Sequence, residues 1–245
     1  MPRRTRRQSQ PMTQSPAGPT TWLRADYEFP STFSYRMLDV SAQFAVGSPI
    51  PSPAAVKLAL VDTAIRWSGD VSEGRRIFDV IKTARVCAVP PPRMVRFRAF
   101  IKRLKPPHSS TGSEAPTVES TGVRDYFLLD GPLSVFIEVP QSNVNDIVGL
   151  LQRIRRFGTS DSVCWCKEVR EEVPCAELCP QKFSNLSNDR KGLVVRLSDL
   201  SQESLFEGFN PFGGNMRRAN LEKDLYVIPL RVKRSGETWA ILERI

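Results

Sequence analysis

Apolar and polar residues alternate along "TWLRADYEF", where Leu23, Ala25, Tyr27 and Phe29 follow Trp22 and oppose Arg24, Asp26 and Glu28. That period of two predicts a strand with one wet face. The pattern changes after Gly47. Pro49, Pro51 and Pro53 fall within five positions, and Ala54, Val56, Leu58, Ala59, Leu60, Ala64 and Ile65 then recur at helical spacing. Ser52 is placed to cap this helix, with Pro53 at its first turn. A shorter helix is expected from Glu73 to Lys82, because Ile77, Phe78 and Ile81 share one face.

Alternation returns in "PPRMVRFRAFIKRLKPP", with Val95, Phe97, Ala99 and Ile101 on one side and Arg96, Arg98, Phe100 and Lys102 on the other. The second face is cationic and carries one ring. A polar, low-complexity loop is expected from Pro106 to Gly122. "DYFLLDGPLSVFIEVP" then predicts a β-hairpin turning at Asp130, Gly131 and Pro132. In "SNVNDIVGLLQRIRRFG" the stripe Val144, Ile147, Val148, Leu150, Leu151 and Ile154 predicts a helix capped by Ser142 or Asn143. It would end at Gly158, behind Arg153, Arg155 and Arg156. "SDSVCWCKEV" predicts a strand.

In order, these elements read strand, helix, strand, strand, helix, strand across Trp22 to Val169. This is an α+β arrangement in the βαββαβ order of ferredoxin-like and RNA-recognition domains. "GLVVRLS", "DLYVIPLRVK" and "TWAILERI" add C-terminal strands. The expected division is a disordered basic arm over 1–21, the βαββαβ domain over 22–170, and a C-terminal β extension packing on the sheet over 171–245.

Composition adds charge to this picture. The 245 residues hold 35 Lys and Arg against 26 Asp and Glu, a net charge of +9 with a pI near 9.6. Arginine predominates, and its planar fork suits phosphate oxygens, so a polyanionic partner is expected. No run reaches the roughly 18 apolar residues of a membrane span, and the N-terminus has no secretory apolar core, which predicts a cytoplasmic protein without membrane contact. Five cysteines do not suggest a disulfide framework and agree with a reducing compartment.

Candidate chemistry is sparse. Cys164, Cys166, Cys175 and Cys179 form a weak zinc candidate, because Cys-x-Cys followed by Cys-x3-Cys departs from the usual knuckle spacing. His108, the single histidine, falls in the polar loop, a poor place for a general base. Tyr27, Tyr35, Lys57 and Lys102 have the residue types for metal-independent RNA cleavage, but no spacing pairs them. No phosphate-binding lysine loop occurs, and "FGGNMRR" is a glycine turn followed by Arg217 and Arg218. No cofactor is implied.

Three segments carry a resemblance. "SPIPSPAAVKLAL" is similar to the proline-then-helix segment after the first strand of RAMP proteins of CRISPR effector complexes, particularly the fifth Cas family. "IRRFGTSDSVCWCKEV" resembles that family's helix, glycine and S-x-V strand, and "DLYVIPL" resembles its C-terminal apolar-Pro-Leu segment. The resemblance implies a Cascade-type subunit that binds and caps the 5′ handle of CRISPR RNA. It also implies contacts with backbone subunits of the seventh Cas family and with the large subunit, near target DNA. The family's common role is binding rather than cutting, so no catalytic residue is carried over.

On that basis Arg96, Arg98 and Lys102 are expected at phosphates, Phe100 under a base, and Arg217, Arg218 and Lys57 as further cationic contacts. The proline-stiffened entry to the first helix has two open explanations: amides preorganised for a phosphate, or an ordinary stiff connection. Two other functions stay open, a metal-independent endoribonuclease processing precursor CRISPR RNA and a basic protein-interaction module.

Overall fold

The computed structural model describes residues 18–37, 40, 44–105, 117–185, 191–209 and 220–245. The alternating first segment becomes β1 (Thr20–Glu28), and the short strands β2 (Tyr35–Arg36), β3 (Phe44–Ala45) and β4 (Gly47–Ser48) follow. Helices α1 (Pro53–Ser68) and α2 (Val71–Ile81) lead to β5 (Val86–Val89), β6 (Arg93–Lys105), β7 (Val118–Asp130) and β8 (Leu133–Pro140). Next come α3 (Val144–Leu151) and β9 (Trp165–Glu171). The C-terminal part supplies β10 (Gln181–Lys182), β11 (Leu193–Leu200), β12 (Leu221–Ile228), β13 (Leu230–Ser235) and β14 (Trp239–Arg244). The chain is mixed α/β and rich in strands. Among the described residues no helix is long and apolar enough to cross a membrane.

One antiparallel sheet has the order β5-β8-β1-β9. Leu23, Ala25 and Tyr27 of β1 pair with Ile137, Val135 and Leu133 of β8. All six are at most 1% exposed, and they share a core with Leu60, Phe78, Ile147 and Leu151 of the three helices. Burying each large side chain contributes about 1.5–3 kcal/mol, which holds the helices on this face. α1 starts as its sequence predicts: the Ser52 hydroxyl accepts from the Ala55 amide at 3.2 Å behind Pro53. Where α2 crosses α1, Gly74 admits the Ile65 side chain into space that a Cβ would occupy.

The opposite face of β1 is not wet. Asp26 is 3% exposed and accepts from Ser134 at 2.6 Å, Arg24 at 2.9 Å and Arg170 at 3.2 Å. Burial raises the Asp26 pKa, but these donors outweigh it and hold the carboxyl below its ordinary range. Beside this network, Val89, Phe136 and Cys179 form a small second core with Trp22, Cys87 and Leu178.

Three sequence expectations are corrected here. β7 and β8 are not partners: β7 pairs along its length with β6, whereas β8 pairs with β1 and β5. At Gly131, with φ of 115°, the chain leaves one sheet for another, so the turn residues mark a crossing instead of a hairpin. α3 ends at Leu151, seven residues before Gly158, because Arg153 and Ile154 donate to carbonyls three residues back. Ile154 and Phe157 remain buried as loop residues, and Asn143 makes no side-chain cap. Lastly, "DLYVIPLRVK" is two strands, broken at Pro229, which has no amide proton for the ladder.

A second sheet has the order β13-β14-β6-β7-β3, so C-terminal β14 lies directly against β6. A third, β10-β12-β11, packs its β11 on α1.

Candidate nucleic-acid interface

The two longest strands, β6 and β7, make a ribbon in which Arg93 opposes Asp130 and Lys105 opposes Val118. Period-two geometry puts Met94, Arg96, Arg98, Phe100 and Lys102 on one face of β6. This face begins in the core at Met94 and emerges at Phe100, which is 69% exposed. Arg96 is half-buried, and its Nε is buried without a hydrogen-bond partner among the described residues. Arg98 Nε donates to Asp125 at 3.0 Å, and Lys102 lies 2.6 Å from Glu119. Asp125 is itself buried and also accepts from the Gly47 amide at 3.2 Å, which fixes its position. The row therefore holds one partly desolvated, incompletely bonded guanidinium, two cations with carboxylate partners, and an open ring. An orphaned buried Nε is costly, so an acceptor supplied to Arg96 gains more than one supplied to a solvated arginine.

On the other face of β6, Val95, Phe97, Ala99 and Ile101 are partly covered. Phe97 stacks on Tyr126 at 5.7 Å between ring centroids. Arg217 and Arg218 of the glycine turn, and His108, lie outside the described residues.

Lys57 does not belong to this interface. It is 1% exposed, and its Nζ donates to Asp199 at 2.7 Å and to the Lys82 carbonyl at 3.0 Å. Desolvation lowers the Lys57 pKa and raises that of Asp199, each against the pull of the other's charge. Helical spacing placed Lys57 on α1 correctly, but only the packing of β11 shows that its face is inside. The proline-stiffened start of α1 is closed for the same reason. Pro49, Ile50, Pro51 and Ser52 are buried, and the Ser52 hydroxyl is occupied by Tyr35 at 2.6 Å and Ser198 at 3.2 Å. The prolines stiffen an internal connection, and no phosphate reaches these amides.

The cysteines do not assemble into the zinc candidate. Cys179 forms a disulfide with Cys87, 92 residues away and 5.9 Å between Cα atoms. Cys164 is buried, Cys166 half-buried and Cys175 exposed. Burial raises the Cys164 thiol to about 12 and the Cys166 thiol to about 11. Among the described residues no group of three or more metal-ligating side chains converges. The absence of a disulfide framework read from the cysteine count is corrected at this one pair: folding brings Cys87 of β5 against the segment after β9, a pairing that no sequence spacing encodes.

A second basic concentration was missed as a site. Arg153, Arg155 and Arg156 had been read only as the charged end of a helix. The early end of α3 places them beside Arg66 and Trp67 of α1, around a cleft of about 600 Å³. The run "RIRR" was the available signal.

No protein-family model matches the chain. It is 34% identical over 228 residues to the CRISPR-associated protein Cas5 of Archaeoglobus fulgidus, a match covering 91% of this chain and 98% of that protein. Among solved structures, a CRISPR protein from Archaeoglobus fulgidus aligns over 91% of this chain and 92% of its own, at 15% identity and a TM-score of 0.42. A CRISPR RNA-guided surveillance complex chain aligns over 85% and 88%, at 11% identity and a TM-score of 0.37. At 34% identity maintained across nearly the whole of both chains, this protein belongs to the Cas5 family of CRISPR-associated proteins.

Proposed function

We propose that this chain is a non-catalytic subunit of a type I CRISPR RNA-guided effector complex, where it binds and caps the 5′ handle of CRISPR RNA. The observation that carries the proposal is the face of β6, where Arg96 holds a buried, unpartnered Nε and Phe100 stands open two turns of the pleat further along. A phosphate accepts from Arg96, and the neighbouring base stacks on Phe100. Arg98 and Lys102 add contacts if they exchange Asp125 and Glu119 for phosphates.

Backbone subunits of the seventh Cas family and the large subunit, with target DNA nearby, are the partners of this reading. The sheet β5-β8-β1-β9, with helices in both crossovers, serves as its ferredoxin-like βαββαβ core, and the β6–β7 ribbon is an insertion between the second and third strands. Binding is favoured over cleavage because Tyr27 donates to the Leu151 carbonyl at 2.8 Å, Tyr35 is engaged with Ser52, and Lys57 is engaged with Asp199. Three of the four candidate cleavage residues are thus committed to internal partners.

The test is to purify the tagged protein from its native host and sequence the RNA that accompanies it. Short RNAs of uniform length sharing one 5′ end support the proposal. Heterogeneous RNA, or none, overturns it.

A further inference from the structure

The cleft between α1 and the loop after α3 has a floor of Ala55, Leu58, Ala59 and Val163. At about 600 Å³ it lies within the usual size of small-ligand sites and accommodates a nucleotide. Its rim is cationic. Arg66 is neutralised by Asp62, whose two oxygens accept from its Nε at 2.8 and 2.9 Å. Arg153, Arg155 and Arg156 have no carboxylate within ion-pair distance among the described residues. Several arginines elsewhere on the surface do have carboxylate partners: Arg76 with Glu73, Arg85 with Glu138, Arg93 with Asp130 and Arg170 with Glu172.

The aromatic component is Trp67, which is 69% exposed. The Arg153 guanidinium lies over its ring at 4.0 Å, while Arg153 Nη1 donates to the Gly149 carbonyl at 2.6 Å. That bond ties the arginine to α3, and the stack in turn orients the indole. One face of the ring is covered and the rest is open to solvent. Among the described residues the Arg155 side chain donates to the Gln152 carbonyl alone, at 3.3 Å, and Arg156 is exposed at the cleft's edge. Three uncompensated cations around an apolar floor, with a braced open indole, match the chemistry of a nucleotide in a single strand: phosphates on the arginines and a base on the ring. An acidic peptide would satisfy the charges and leave the ring unused.

We infer that this cleft is a second binding site for single-stranded nucleic acid. It shares no residue with the β6 row and does not depend on the handle reading. Its sequence tolerance follows from its parts, since stacking and phosphate contacts discriminate little between bases.

The full-length protein is titrated by fluorescence anisotropy, over a series of salt concentrations, with three labelled probes: an oligouridine RNA of about twelve nucleotides, the equivalent oligothymidine DNA, and polyglutamate. Trp67→Ala is expected to weaken binding of at least one strand about fivefold or more without altering the salt dependence. Arg155→Ala with Arg156→Ala is expected to weaken it and make the slope of log K against log salt shallower by about 1.4. The strand showing the greater loss identifies the source. The three substituted cleft residues are exposed, and unchanged melting temperatures exclude unfolding as the cause. Arg96→Ala with Phe100→Ala serves as the separate control for the β6 row. If that pair weakens binding while the cleft variants do not, the cleft is overturned and the β6 reading stands. Unchanged affinity in Trp67→Ala, or a loss confined to polyglutamate, also overturns it.

Discussion

Lys57 Nζ sits 2.7 Å from Asp199 Oδ1 and joins α1 to β11 through an ion pair whose lysine is fully buried. Deleting one partner of such a pair leaves the other charge uncompensated. Lys57→Ala is therefore expected to destabilise the fold by about 3–5 kcal/mol; Lys57→Met, which refills the volume but leaves Asp199 equally unpaired, is spared only the cavity part of that cost. Urea denaturation of the three proteins checks this. Equal stability would show that β11 is not held through this contact.

The Asp26 carboxyl on the outer face of β1 is predicted to make stability pH-dependent. Its folded-state pKa lies below the ordinary value, so its contribution is complete above the ordinary aspartate range and is lost as pH falls through the folded value. Asp26→Asn should cost about 1–3 kcal/mol near neutral pH, with the gap to wild type narrowing as pH falls below the ordinary aspartate range. Thermal unfolding at several pH values measures it, and a constant gap would contradict the charged network.

Cys87 and Cys179 close a long loop and clasp the segment after β9 onto the outer sheet face. Cys87→Ser with Cys179→Ser is expected to lose about 2–4 kcal/mol relative to the oxidised protein, and reductant should bring wild type to the same value. Intact mass with and without alkylation reports the thiol count. Alkylation of the native protein is expected at exposed Cys175, whereas Cys164, buried and raised to about 12, resists it.

Within the β6 row, Arg96→Ala is expected to weaken binding of a repeat-derived RNA more than Arg98→Ala, because Arg98 must first surrender Asp125. Together the two changes should make the salt slope shallower by about 1.4, and Phe100→Ala should cost about 1–3 kcal/mol with the slope unchanged. Titrations over a salt series read both quantities. An unchanged slope in the double variant would remove these arginines from the interface.

Patterns of period two and 3.6 identified β1, α1, α2 and β6 as elements, and Ser52 and Pro53 marked the start of α1 to the residue. The row Arg96, Arg98, Phe100 and Lys102 was legible because alternation alone sets a common face. The Arg153 cluster was not, because its position depends on α3 ending early, a consequence of how Ile154 and Phe157 pack.

The sequence by itself determined what neighbouring residues decide: local helix or strand, caps, the net positive charge, and the family resemblance carried by short ordered segments. Only the tertiary structure decided that β8 pairs with β1 while β7 pairs with β6, that Lys57 is inside, that Cys87 meets Cys179, and that arginines from α1 and the loop after α3 surround one cleft. Apart from the β6–β7 ribbon, each of these joins residues separated by dozens of positions or more, and their meeting follows from which apolar faces bury one another, a competition among long-range contacts that local periodicity does not encode.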